Sequence, residues 1–151
     1  MTFPKEIQTS SPTQTEEIGR ALADEMLKDN SLPPFVALYG DLGVGKTAFV
    51  RGFTSAISPK ARVKSPTFAL VNEYKGERLA VFHFDMYRIE DEDELYSIGF
   101  FDYADRQGIC LVEWSENIEE SLPDKYIRVE IIKNSATDID SRLITISKVG
   151  K

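Results

Sequence analysis

One segment constrains the fold more than any other: residues 40–47, GDLGVGKT, fit the phosphate-binding pattern G-x-x-x-x-G-K-S/T at every required position. A short apolar run at 35–39 precedes it, and apolar residues at helical spacing follow it. This context predicts a strand that ends in a glycine-rich turn and continues into a helix, so that backbone N–H groups and the helix dipole face an anion. A tight glycine turn alone does not explain why a lysine and a threonine follow at once.

The pattern also predicts a role for the individual residues of this turn. Lys46 is expected to reach the β- and γ-phosphates of a nucleotide, and the Thr47 hydroxyl is expected to take one position on Mg²⁺. The other nucleotide contacts are expected from the glycine-rich turn and the start of the helix. They are Asp41, Gly43, Val44, Gly45 and Ala48.

Length and composition predict a single soluble domain. A chain of 151 residues is long enough for one core and too short for two ordinary domains, so residues 1–151 are read as one unit. No apolar run approaches the roughly 20 residues of a membrane span, and the N-terminus lacks the layout of an export signal. The single cysteine, Cys110, agrees with a reducing cytoplasm.

The formal net charge of -7 argues against direct, tight binding of nucleic acid, whose phosphates attract clustered Lys and Arg. The one basic cluster comprises Lys60, Arg62 and Lys64, in the connection that follows the P-loop helix. Two interpretations of this cluster stay open, a solvated loop and a docking or phosphate contact.

The remaining segments predict alternating helices and strands. Thr13 and Glu16 fit a capping box at the start of a helix over 14–29. A glycine-containing link predicts a hairpin of strands 67–74 and 79–85, and the acidic run 90–94 predicts a helix start. Further strands are expected at 6–8, 109–113, 126–133 and 142–148, with a short helix at 102–106. The fold class is therefore α/β, a single P-loop NTPase domain whose mixed central β-sheet carries helices on both faces.

Two carboxylates end apolar strand-like runs. Asp85 follows the run at 81–84 and Glu113 follows the run at 109–112, so both are candidates to hold Mg²⁺ and to support catalysis at the carboxyl edge of the sheet. Either one is alternatively a helix cap or an ion-pair partner. Thr67 occupies the place where nucleotide switches put a threonine that senses Mg²⁺ and the γ-phosphate.

Four more residues lie in or near these runs, and the sequence leaves the roles of His83, Arg88 and Trp114 open. His83 shares a strand face with Asp85; either that carboxylate orients the imidazole or tunes its charge, or His83 is a buried structural histidine. Arg88 either pairs with Asp85 or meets a phosphate. Trp114 is expected in the core or an interface, and Cys110 in the core.

The combination of motifs resembles the TsaE family, also called YjeE, of small bacterial P-loop ATPases. The resemblance covers residues from about 13 to 133 and rests on four segments in the family's order and spacing: LYGDLGVGKTAFVRG at 38–52, VKSPTFALVNEY at 63–74, FHFDMYR at 82–88 and ICLVEW at 109–114, followed by Leu-Pro at 122–123. The chain departs from many members at Ala48, where a second threonine is common, and at Ser115, where proline is common.

The resemblance implies a cytoplasmic ATPase, using ATP and Mg²⁺, that is required for N6-threonylcarbamoyladenosine at position 37 of tRNAs reading codons that begin with A. It implies that the protein works with TsaD and TsaB, that its ATP hydrolysis resets their complex, and that it meets tRNA only through that complex. It further implies that Thr47 and Glu113 bind Mg²⁺, that Asp85 is an essential acidic residue, and that Thr67 belongs to a switch-like loop. The segment 12–15 would lie near the adenine.

Three other functions stay open from the residues alone. A small-molecule kinase would use Asp85 as its base, but little chain is left for an acceptor domain and lid. A GTP-dependent switch lacks an evident N-K-x-D motif in this sequence. A nucleotide-gated binding module would bind ATP without turnover.

Overall fold

Seven strands form one mixed sheet within the residues that the structure, a computed structural model, describes: 1–41, 43–64, 66, 70–134 and 138–150. In chain order the strands are β1 (Lys5–Thr9), β2 (Phe35–Tyr39), β3 (Val71–Lys75), β4 (Ala80–Asp85), β5 (Gly108–Glu113), β6 (Tyr126–Lys133) and β7 (Arg142–Val149). Their order across the sheet is β1-β7-β6-β2-β5-β4-β3.

The four central strands β6, β2, β5 and β4 run parallel, whereas the outer strands β1, β7 and β3 are antiparallel to their neighbours. This arrangement confirms the predicted mixed sheet and the predicted β3–β4 hairpin. Strand β2 is central, and all five of its residues are buried, as its unbroken apolar sequence indicates. Because parallel strands end at one edge of the sheet, the carboxyl ends of β2, β4 and β5 come together there.

Helices cover both faces of the sheet, as predicted. Helices α1 (Pro12–Lys28) and α2 (Lys46–Ile57) pack over one face, with a core cluster that includes Leu22, Phe49 and Phe53. Helix α3 (Glu92–Ser97) and two 3₁₀ segments, Phe100–Asp105 and Ser115–Ser121, cover the other face. No helix in the described part of the chain is long and apolar enough to cross a membrane.

The start of α1 differs from the predicted capping box. Ser11 is the N-cap residue, and its hydroxyl accepts the backbone N–H of Gln14 at 3.2 Å. Pro12 then takes the first helical position, where its fixed φ and missing N–H are tolerated. Glu16, predicted to close the capping box, instead pairs with Arg51 of α2 at 2.6 Å, so that prediction was wrong by two residues.

The acidic run behaves as predicted. Asp91 caps α3 by accepting the backbone N–H of Glu94 at 3.1 Å, and three acidic residues occupy the first helical turn. The predicted strand at 67–74 is described from residue 70 onward, and β3 begins at Val71. Strand β4 pairs with β3 in the hairpin and ends at Asp85, so this carboxylate lies at the carboxyl edge of the sheet.

Candidate nucleotide-binding site

The glycine-rich loop joins β2 to α2 at the carboxyl edge of the sheet. Gly40 has φ 147°, and a Cβ there would lie 2.6 Å from the carbonyl oxygen of Ile131. Gly45 is the N-cap residue of α2 with φ 109°, a left-handed conformation that suits glycine. Because the N-cap residue is a glycine, no side chain caps the start of α2 in the described part of the chain. The first N–H groups of the helix are therefore available to an anion.

Lys46 is 5% exposed and lies against the loop. Its ammonium donates a hydrogen bond to the Gly40 carbonyl and sits 3.5 Å from the centroid of the Trp114 ring. Burial lowers the pKa of Lys46, and this effect is opposed by four nearby carboxylates, those of Glu116, Glu113, Asp85 and Asp41. A phosphate would offer the ammonium a charged acceptor in place of a neutral carbonyl.

Two long-range contacts brace the loop, and neither was predicted. The Arg142 guanidinium donates from Nε to the Val44 carbonyl at 2.8 Å and from Nη1 to the Ser141 carbonyl at 2.9 Å. Glu116 accepts the backbone N–H of Gly40 at 3.3 Å. The loop is therefore held from β7 on one side and from the second 3₁₀ segment on the other.

Asp85 and Glu113 meet as the sequence predicted. They are direct register partners at the ends of the parallel strands β4 and β5, so their side chains leave the same face of the sheet. Burial raises the pKa of Asp85; a hydrogen bond from the Tyr87 backbone N–H, at 3.0 Å, opposes the rise, and the charge of Glu113 adds to it.

His83 contacts the second carboxylate and not the first. Its Nε2 lies 2.6 Å from Glu113 Oε2, and His83 and Glu113 are 0% and 5% exposed. A carboxylate only accepts hydrogen bonds, so His83 Nε2–H is the donor. Of the two sequence interpretations, an imidazole oriented by Asp85 or a buried structural histidine, the structure supports burial and adds a partner that the sequence did not indicate.

The site fits Mg²⁺. Thr47 lies half-buried in the first turn of α2, and oxygen donors of its kind, together with carboxylates, are those that Mg²⁺ prefers. A cation would also offset the repulsion from Glu113 that raises the pKa of Asp85. The described residues contain no group of three or more His, Cys, Asp or Glu that could hold a metal ion by themselves.

The other candidate residues are distributed as follows. Thr67 lies outside the described residues. Arg88 is exposed just after β4, and Lys60, Arg62 and Lys64 are exposed in a loop tied to β3 by the Tyr74 hydroxyl. Trp114 packs partly against the core, as predicted, but also covers Lys46; its φ of 58° is a left-handed conformation unusual for a large side chain.

Known proteins are similar to this chain in sequence. Residues 9–143 match the family described as "Threonylcarbamoyl adenosine biosynthesis protein TsaE". The chain is 40% identical over 143 residues to the tRNA threonylcarbamoyladenosine biosynthesis protein TsaE of Bacillus subtilis, a match that covers 95% of this chain and 85% of that protein. It is 40% identical over 135 residues to the protein of the same name from Haemophilus influenzae, covering 88% and 84% of the two chains.

A solved structure is also similar. The crystal structure of Bacillus subtilis YdiB superposes with a TM-score of 0.72 at 32% identity, covering 99% of this chain and 90% of that one. The region of the family match contains the whole glycine-rich loop and both carboxylates.

Proposed function

Because this chain belongs to the TsaE family, whose members take part in tRNA threonylcarbamoyladenosine biosynthesis, we propose that it binds and hydrolyses ATP with Mg²⁺ to support that modification. The observation that carries the proposal is the register pairing of Asp85 with Glu113 at the edge where Lys46 and the glycine-rich loop lie. A phosphate cradle alone binds, whereas two acidic groups beside it supply what hydrolysis needs, a metal site and a group to orient water.

Each residue of the site has a proposed task. The loop N–H groups, from Asp41 to Ala48, and the Lys46 ammonium would hold the phosphates, with Lys46 exchanging the Gly40 carbonyl for a phosphate oxygen. Thr47, Asp85 and Glu113 would hold Mg²⁺, which when bound neutralises charge on the phosphate oxygens. Thr67 is proposed to sense Mg²⁺ and the γ-phosphate.

We further propose that hydrolysis is slow in the isolated protein and serves partners, TsaD and TsaB, by resetting their complex between turnovers in the cytoplasm. The net charge of -7 supports an indirect relation to tRNA, because an acidic chain is repelled by a phosphate backbone.

The test is release of inorganic phosphate from ATP, measured with the chain alone and with TsaD and TsaB. Lys46→Ala is expected to remove nucleotide binding, whereas Asp85→Ala and Glu113→Ala are expected to keep binding and lose turnover. Lys125→Ala, which changes an exposed lysine outside the site, is the matched control and should behave like the parent.

Three results would contradict the proposal. Hydrolysis at the parental rate in all three site variants would refute the site assignment. Absence of phosphate release with and without the partners would indicate a nucleotide-gated binding module. A phosphorylated small-molecule acceptor would indicate a kinase.

A further inference from the structure

The buried contact between His83 and Glu113 links β4 and β5, the two strands that end in Asp85 and Glu113. His83 lies in β4, two residues before Asp85, and Glu113 ends β5. Neither side chain has appreciable access to water, so the carboxylate depends on the protein for its hydrogen bonds. The distance of 2.6 Å between Nε2 and Oε2 shows a close hydrogen bond.

Hydrogen bonds hold one oxygen of the Glu113 carboxylate and one oxygen of the Asp85 carboxylate. Glu113 Oε2 is engaged by His83, and Asp85 Oδ1 is engaged by the Tyr87 backbone N–H. Within the described residues, no other hydrogen bond engages these two carboxylates, which leaves Glu113 Oε1 and Asp85 Oδ2 for a cation. One oxygen of each carboxylate is therefore fixed by the protein, which sets the direction in which the other faces.

The second ring nitrogen of His83 supports a role directed at Glu113. Nδ1 is buried and has no hydrogen-bond partner among the described residues. The hydrogen bonding of this ring, within the part of the chain that the structure describes, goes to Glu113.

We propose that His83 is a positioning residue that orients the Glu113 carboxylate for Mg²⁺ in the nucleotide complex. The inference rests on the proposed function for the identity of the ion, and His83 itself contacts neither nucleotide nor metal. Residues that hydrogen-bond a metal-binding side chain fix the orientation of that side chain. Their loss typically weakens metal affinity or activity by about 10–100-fold.

The test compares three substitutions of His83. In His83→Gln the side-chain amide reaches about as far as Nε2 and keeps an N–H donor for Glu113. His83→Met fills similar volume without a donor, and in His83→Asn the amide is too short to reach. The readout is the Mg²⁺ concentration that gives half of the Mg²⁺-dependent gain in affinity for a non-hydrolysable ATP analogue, with ADP binding in the absence of Mg²⁺ measured alongside.

We expect the Mg²⁺ midpoint to rise by about 10–100-fold in His83→Met and His83→Asn and by about 3-fold or less in His83→Gln, with metal-free ADP binding unchanged in all three. In a Glu113→Gln background, adding His83→Met should leave the midpoint unchanged. If circular dichroism shows that His83→Met does not fold, the comparison of the Mg²⁺ midpoints of His83→Gln and His83→Asn decides the question.

Two results in the variants would overturn the inference. One is a parental midpoint in both His83→Met and His83→Asn, or in His83→Asn alone if His83→Met does not fold; the other is an undiminished effect of His83→Met in the Glu113→Gln background. A parent protein whose analogue binding ignores Mg²⁺ would overturn it as well. Since the readout is binding, a parent that never releases phosphate would contradict the proposed hydrolysis and leave this test intact.

Discussion

Replacing Gly52 with alanine should destabilise this protein, although alanine normally stabilises a helix interior by about 0.5–1 kcal/mol over glycine. Gly52 lies where α2 crosses α1. A Cβ at this position would lie 1.8 Å from the carbonyl oxygen of Glu16 and 2.6 Å from its carbonyl carbon. These are backbone atoms, so no rotamer change relieves the clash and the two helices must move apart.

The size of the effect follows from this contact. Overpacking a buried contact costs about 1–3 kcal/mol, and more where backbone must shift. After the helix-propensity gain is subtracted, a net loss of about 2 kcal/mol in the free energy of unfolding is expected. For a domain of this size each kcal/mol shifts the melting temperature by about 2–4 °C, which gives a decrease of about 4–8 °C.

The assay is thermal and urea unfolding followed by far-ultraviolet circular dichroism. Gly19→Ala probes the same crossing from α1, where a Cβ would lie 2.2 Å from the Phe49 carbonyl oxygen, and should also destabilise. Glu17→Ala, on the exposed side of α1, is the control and should change stability by about 0.5 kcal/mol or less. A melting temperature of Gly52→Ala equal to or above that of the parent would refute the helix-crossing argument.

Two predictions concern the site. Because burial and Glu113 raise the pKa of Asp85, its ionised form disfavours folding; Asp85→Asn should therefore raise the free energy of unfolding of the nucleotide-free protein at neutral pH. The gain should shrink as pH falls through the raised pKa, and a gain independent of pH would contradict it. Trp114 is the single tryptophan and covers Lys46, so ATP should change its emission with a midpoint matching calorimetric affinity; unchanged emission at saturation would refute the displacement of Lys46.

Sequence reasoning succeeded where the signal was local. The apolar run of β2, the glycines and the lysine after them specify a strand, a turn and a helix within one short segment. The same applies to Asp85 and Glu113, whose places at strand ends follow from the apolar residues before them. The capping box failed because Ser11 with Gln14 and Thr13 with Glu16 have the same spacing, and Pro12 favours the first pair.

Contacts that depend on strand order could not be predicted. Arg142 reaches Val44 across 98 residues of sequence, and Glu116 reaches Gly40 across 76. The partner of His83 became visible only once β5 was placed beside β4, because strand pairing in a parallel sheet is set by the crossover connections and by packing rather than by the strand sequences. Trp114 was missed as a neighbour of Lys46 for the same reason.

The helix crossing also positions a segment beside the glycine-rich loop. Glycine at positions 19 and 52 lets α1 and α2 approach each other closely. A Cβ at either position would collide with the backbone of the other helix. That approach brings Thr15 beside the loop, where a Cβ on Gly45 would lie 4.0 Å from Thr15 Cγ2, and the buried Thr15 hydroxyl is held by that of Thr9 at 3.0 Å. The segment that the family resemblance places near the adenine is thus positioned by helix packing, so substitutions at the crossing should weaken nucleotide binding without touching the phosphate loop.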